Sequence, residues 1–248
     1  MDSRPEPAGT RLSLIQWIVL LIVLIVVAAI AVPGFLSSRR ASNERNASTT
    51  LKTLSTAEAD FRANDRDWNT INDFWTGDVK GLYTMTSAGK RGALGEPVDP
   101  AIKLIELSVA AADADGSFVP AGGENIPLRA FASPAPREGY WYAALTQDLT
   151  VSGTESTYKL ETGGTPIMGS CHNPSKFGFV SFADSPWTGK FVFMVNENNT
   201  IFRYATTGTL RTGNAVPPGL GGFPSFYQSW PKDEDLPGKG GDSLHRKD

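Results

Sequence analysis

The stretch from Leu12 to Leu36, LSLIQWIVLLIVLIVVAAIAVPGFL, contains no charged side chain, and the chain turns polar at once after it, at Ser37-Ser38-Arg39-Arg40. From Trp17 to Leu36 nearly every residue is apolar. At about 1.5 Å per residue this part of the run spans roughly 30 Å, the thickness of a bilayer's hydrocarbon core. A signal peptide has a shorter apolar region and ends in a small-residue cleavage site, whereas this run ends in Pro33-Gly-Phe-Leu36. The reading is a retained transmembrane helix over residues 12–36, preceded by a short segment at 1–11.

The helical pattern continues past the apolar run. Residues 37–63 contain neither glycine nor proline, and Ala47, Leu51, Leu54, Ala57 and Phe61 recur at steps of three and four. Arg45, Thr49, Lys52, Thr56 and Asp60 lie between them, and Glu58 falls near the edge of the apolar stripe. One apolar stripe at that period predicts an amphipathic helix. Together the two segments predict one rod of roughly fifty residues, bent at Pro33-Gly34.

The texture changes at Asn64. Residues 64–72 are rich in Asn, Asp and Thr, which favour turns. Leu104 to Ala112 reads as a short helix, followed by a turn at Asp113-Ala-Asp115-Gly116. Strand signals then follow at Gly139–Leu145, Lys176–Phe182 and Lys190–Val195, all rich in aromatic and β-branched residues. Alternation sets Phe177, Phe179 and Ser181 on one face of the second strand and Gly178, Val180 and Phe182 on the other. Glu197-Asn-Asn-Thr200 reads as a turn into Ile201–Tyr204, which makes a hairpin. The fold class is therefore α+β, a long N-terminal helix on an antiparallel sheet, with a globular head over residues 64–212. Residues 213–248 form a Pro/Gly-rich and charged tail whose end, poor in large apolar groups, is expected to be disordered.

Composition narrows the function classes. The 248 residues carry a net charge of −3, with basic residues scattered along the chain, so no nucleic-acid partner is expected. The single cysteine, Cys171, excludes an intrachain disulfide, and two histidines, His172 and His245, leave little material for a metal site or a catalytic relay. Gly163-Gly164 and Gly219–Gly222 lack the lysine and following helix of a phosphate loop. No enzymatic activity is expected.

An uncharged apolar helix near the N-terminus that ends in Ala28-Ala-Ile-Ala-Val-Pro-Gly-Phe-Leu36 resembles the N-terminus of type IV pilins and type II secretion pseudopilins. The resemblance is specific over about residues 12–62 and architectural beyond. It implies a pilin-like head, a place in the cytoplasmic (inner) membrane with the C-terminal domain extracytoplasmic, and other pilin-like subunits as partners. Aligning Pro33 with the family's helix proline puts leader cleavage between Arg11 and Leu12, where the family has glycine before the bond and this chain has Arg11. Gln16 stands where the family has a glutamate used in assembly, so Gln16 and Pro33 are the assembly positions. Counted alone, Arg4 and Arg11 before the run against Arg39, Arg40 and Arg45 after it favour the opposite topology.

One local pattern points to a ligand. In Asp65-Arg-Asp67-Trp-Asn69-Thr-Ile-Asn-Asp73, oxygen-bearing side chains alternate, which resembles a calcium loop, with Asp65, Asp67, Asn69 and Asp73 as ligands. The glycine that permits such a loop's sharp turn is replaced by Thr70, and Thr76 occupies the place of the closing acid. The other reading is that these side chains cap the helix end and its turns. A static membrane-anchored module that binds calcium or a cell-wall glycan is the alternative to an assembling subunit.

Overall fold

The computed structural model describes residues 13–67, 70–86, 101–114, 126–145, 147–148, 156–157, 172–205, 229–230 and 244–246. Its first element is one α-helix, α1 (Leu14–Asn64), 51 residues long, with Pro33 inside it. The chain divides within α1 into two compact units, one ending at Arg39 and the other beginning at Arg40.

In the first unit the large apolar side chains of the helix, from Leu14 through Val32 and at Phe35, are all exposed. Left in water, that surface would cost about 25 cal/mol for each Å². The segment is long and apolar enough to cross a membrane. Its start is fixed locally: Ser13 N–H donates to Gln16 Oε1 at 2.8 Å, and Gln16 N–H donates to Ser13 Oγ at 3.3 Å. This reciprocal pair is a capping box, which satisfies donors that the first turn leaves unpaired.

In the second unit the stripe of α1 is buried as its period predicts, with Ala47, Leu51, Leu54, Ala57 and Phe61 each at most 5 % exposed. The threonines between them keep helical geometry by donating back one turn, Thr49 to Arg45 O, Thr53 to Thr49 O and Thr56 to Lys52 O. The stripe lies on a sheet of five antiparallel strands in the order β10-β8-β7-β6-β2 among the described residues. These are β2 (Tyr140–Ala144), β6 (Gly178–Ala183), β7 (Phe191–Asn196), β8 (Ile201–Ala205) and β10 (Leu244–Arg246). Two smaller sheets accompany it: β1 (Phe74–Trp75) paired with β5 (His172–Asn173), and β3 (Gln147–Asp148) between β4 (Ser156–Thr157) and β9 (Ser229–Trp230). Two short α-helices, α2 (Gly81–Thr84) and α3 (Leu107–Ala111), lie in the head.

Alternation sorts the sheet's side chains into two clusters. Tyr140, Tyr142, Phe179, Phe193 and Val195 join the α1 stripe in one core. Trp141, Ala143, Val180, Val192 and Met194 form the other. Both faces of the sheet are therefore apolar. The β7–β8 hairpin closes through Asn199 N–H on Asn196 O at 2.9 Å, with Asn199 in the left-handed region at φ 54°. The start of the head's helix is tied to the β6–β7 loop by three bonds. Arg40 Nε donates to Trp187 O, Asn43 Nδ2 to Thr188 O, and Glu44 accepts from Lys190 N–H.

The tail departs from expectation at its end. Leu244–Arg246 pairs antiparallel with Tyr204, Arg203 and Phe202 of β8 instead of lacking order. An edge strand is held by main-chain hydrogen bonds, so a short segment poor in apolar side chains can still join a sheet.

Candidate metal centre

The end of α1, the turn after it and the β1–β5 pair build one buried polar site. Glu58 lies one turn beyond Leu54 and three residues before Phe61, so helical geometry carries a carboxylate into the core, where it is 0 % exposed. Its Oε2 accepts the Trp75 N–H at 2.9 Å, while Oε1 is buried without a hydrogen-bond partner. Burial above all pushes the Glu58 carboxyl well above the usual carboxylate range; the Trp75 N–H opposes this and the charge of Asp73 adds to it.

The helix then stops on Asp65, which takes the left-handed conformation at φ 44°. Arg66 N–H reaches back to Phe61 O at 3.2 Å, a closure of the Schellman type. Asp65 Oδ2 accepts the Thr70 N–H at 3.0 Å, and Thr70 is itself left-handed at φ 69°. Two reversals in six residues turn the chain back toward the helix. Arg62 steadies the return, its Nε on Asn72 O and its guanidinium 4.9 Å from the Phe74 ring centroid. Asp67 and Asp73 are both carried into the interior at 0 % exposure.

His172 arrives from the far end of the chain. The β1–β5 register sets it opposite Trp75 and Asn173 opposite Phe74. Its ring meets Trp75 edge-on at 5.4 Å between centroids and lies 6.3 Å from Phe61. Nδ1 is 2.9 Å from Asp73 Oδ1, and Nε2 is 3.8 Å from Asp67 Oδ2 without a hydrogen-bond partner. The imidazole thus lies between two carboxylates behind an aromatic wall. One ligand atom from each of Asp67, Asp73 and His172 lies within 4.8 Å of the others.

Charge is the difficulty of such a site. Three carboxylates and one imidazolium would leave two negative charges uncompensated in the interior, a costly state. The Asp67 carboxyl is accordingly pushed up to about 7. Burial is the main cause, His172 opposes it, and a hydrogen bond from the Asp67 acid to Asp65, with the nearby charges of Asp73 and Asp65, adds to it. A divalent cation would instead balance Asp67 and Asp73 in ionised form beside a neutral imidazole.

Compared with known protein families, curated proteins and solved structures, the chain matches none.

The expected ligand series is brought together only in part. Asp67 and Asp73 converge, Asp65 turns its carboxylate to the backbone of Thr70 and to Asp67, and Asn69 lies outside the described residues. His172 and Glu58 were not among the expected ligands. Glu58 did carry a signal, since a glutamate on an apolar stripe must find compensation in the core. Arg11, Leu12 and Cys171 lie outside the described residues, as do Asp115, Gly116 and the glycine pairs at 163–164 and 219–222. Gln16 is engaged with Ser13, and helical geometry continues through Pro33.

A second buried charged cluster reads as scaffold. Lys80 Nζ is 3.1 Å from Asp78 Oδ2 and 3.8 Å from Asp113 Oδ2. Asp113 Oδ2 also accepts from Val79 and Lys80 N–H, and Asp78 Oδ1 accepts from Gly81 N–H and Trp75 Nε1. Gly81 lies so near the Trp75 indole that a Cβ there would collide with it. This network holds Trp75, and through it the wall of the candidate metal centre.

Proposed function

We propose that this chain is a pilin-like structural subunit or minor component of a type IV pilus or type II secretion pseudopilus, and not an enzyme. The observation that carries the reading is α1 itself. One helix is apolar and exposed through its first part, then continues as an amphipathic part whose single stripe is buried on an antiparallel sheet. In this reading the first part lies in the cytoplasmic membrane with the head extracytoplasmic. Other pilin-like subunits are its partners, and assembly proceeds by helix packing between apolar surfaces without active-site chemistry.

One observation favours the second reading, a static anchored binding module for calcium or a cell-wall glycan. Gln16 spends its amide oxygen on Ser13 N–H within its own helix, where an assembling subunit would present that position to a neighbour. Intact mass of the protein from its native membrane separates the two readings. A chain beginning at Leu12, with the mass of an added methyl group, is expected for a processed subunit. A chain beginning at Met1 or Asp2 contradicts processing and leaves the static module.

A further inference from the structure

We propose that Asp67 and His172 hold a divalent transition cation of the zinc class, with Asp73 orienting the imidazole from its other nitrogen, so that the ion pins the end of α1, the turn at 65–73 and the β1–β5 pair to one point. The proposal concerns the head alone and is independent of whether the chain assembles.

The first argument is the direction of His172. With Asp73 Oδ1 2.9 Å from Nδ1, a proton on Nδ1 leaves the lone pair on Nε2. That nitrogen is fully buried, has no hydrogen-bond partner, and faces Asp67 Oδ2 at 3.8 Å. A ring nitrogen's lone pair facing a carboxylate oxygen in the interior makes a pair of donors to which a cation can bind. At 3.8 Å they are too far apart for a hydrogen bond. Two metal–ligand bonds of about 2.0–2.1 Å to one ion would bridge such a gap. A carboxylate that holds the far nitrogen of a ligating histidine is also the usual means of fixing its tautomer and orientation.

The second argument is Glu58. Its Oε1 is buried without a hydrogen-bond partner, and its carboxyl lies near enough to Asp73 to feel that residue's charge. A core carboxyl group with one oxygen not hydrogen-bonded can lend a further oxygen to a bound cation. The ligand chemistry selects the ion. Calcium and magnesium take oxygen shells, whereas an imidazole nitrogen among carboxylates suits zinc and its transition-metal neighbours. The aromatic wall of Phe61 and Trp75 keeps competing water out.

The test uses the full-length protein in detergent, stripped with a chelator and titrated with zinc, manganese and calcium. Zinc is expected to bind at one ion per chain and, at hundredfold excess over Kd, to raise the melting midpoint by about 5–10 °C. Asp67→Asn keeps the shape and removes the charge, and is expected to weaken zinc binding by more than about 100-fold. X-ray absorption of the zinc-loaded wild type requires no variant to fold, and should read one imidazole among oxygen donors. Calcium binding without zinc binding, absence of binding by any of the three ions, unchanged zinc affinity in Asp67→Asn, or a zinc shell without imidazole would each overturn the proposal.

Discussion

Truncating Phe61 to alanine is expected to destabilise the head by about 3–5 kcal/mol, the cost of a large cavity in a core that cannot fully collapse. Phe61 is 1 % exposed, belongs to the helix stripe, and lies 6.3 Å from the His172 ring. Its loss would do two things at once. It would remove apolar contact between α1 and the sheet, and it would admit water to a site whose burial raises the Glu58 and Asp67 carboxyls. Urea unfolding of the detergent-solubilised protein, followed by near-ultraviolet circular dichroism, reads the change in midpoint. Phe35→Ala provides the contrast. It is the same deletion on the same helix, but Phe35 is 61 % exposed, so the transition of the head should not move.

The second large effect concerns the other end of the helix. Val23→Lys combined with Val26→Lys is expected to add about 5–7 kcal/mol to the cost of placing the segment in a bilayer. Both valines are exposed in the middle of the apolar run, so neither change touches the head's core. The variant should leave the membrane fraction after alkaline carbonate extraction, while wild-type protein stays in it. Thr53→Lys, on the exposed face of the same helix in the head, should remain with the membrane.

Much of the architecture was legible because it rests on local patterns. The three- and four-residue recurrence from Ala47 to Phe61 marked the buried stripe, and alternation at Phe177–Phe182 separated the two cores. The hairpin at Asn196–Asn199 followed from its turn residues. Short elements were not legible. Trp75 and His172 form strands of two residues each, too brief for any periodicity, and α2 is a single turn. Leu244–Arg246 is a three-residue strand paired with β8, too short to show a period.

The site was half legible for the same reason. Asp67 and Asp73 stand in a visible series of oxygen-bearing residues, but the series does not say which side chains turn inward. Asp65 turned out to be the left-handed helix cap, a backbone role with its carboxylate on Thr70. His172 is 99 positions from Asp73. Only the pairing of β1 with β5 brings it to the carboxylates. Contacts that depend on long-range pairing leave no trace in local spacing.

The measurement that bears most directly on the account is photo-cross-linking in the native membrane, with a photoreactive residue in place of Ile25. Ile25 lies in the exposed apolar run of α1. The account predicts adducts with a second copy of this chain, or with another chain that carries an apolar N-terminal helix. Adducts with lipid alone, in cells that produce the pilus or secretion machinery, would contradict it.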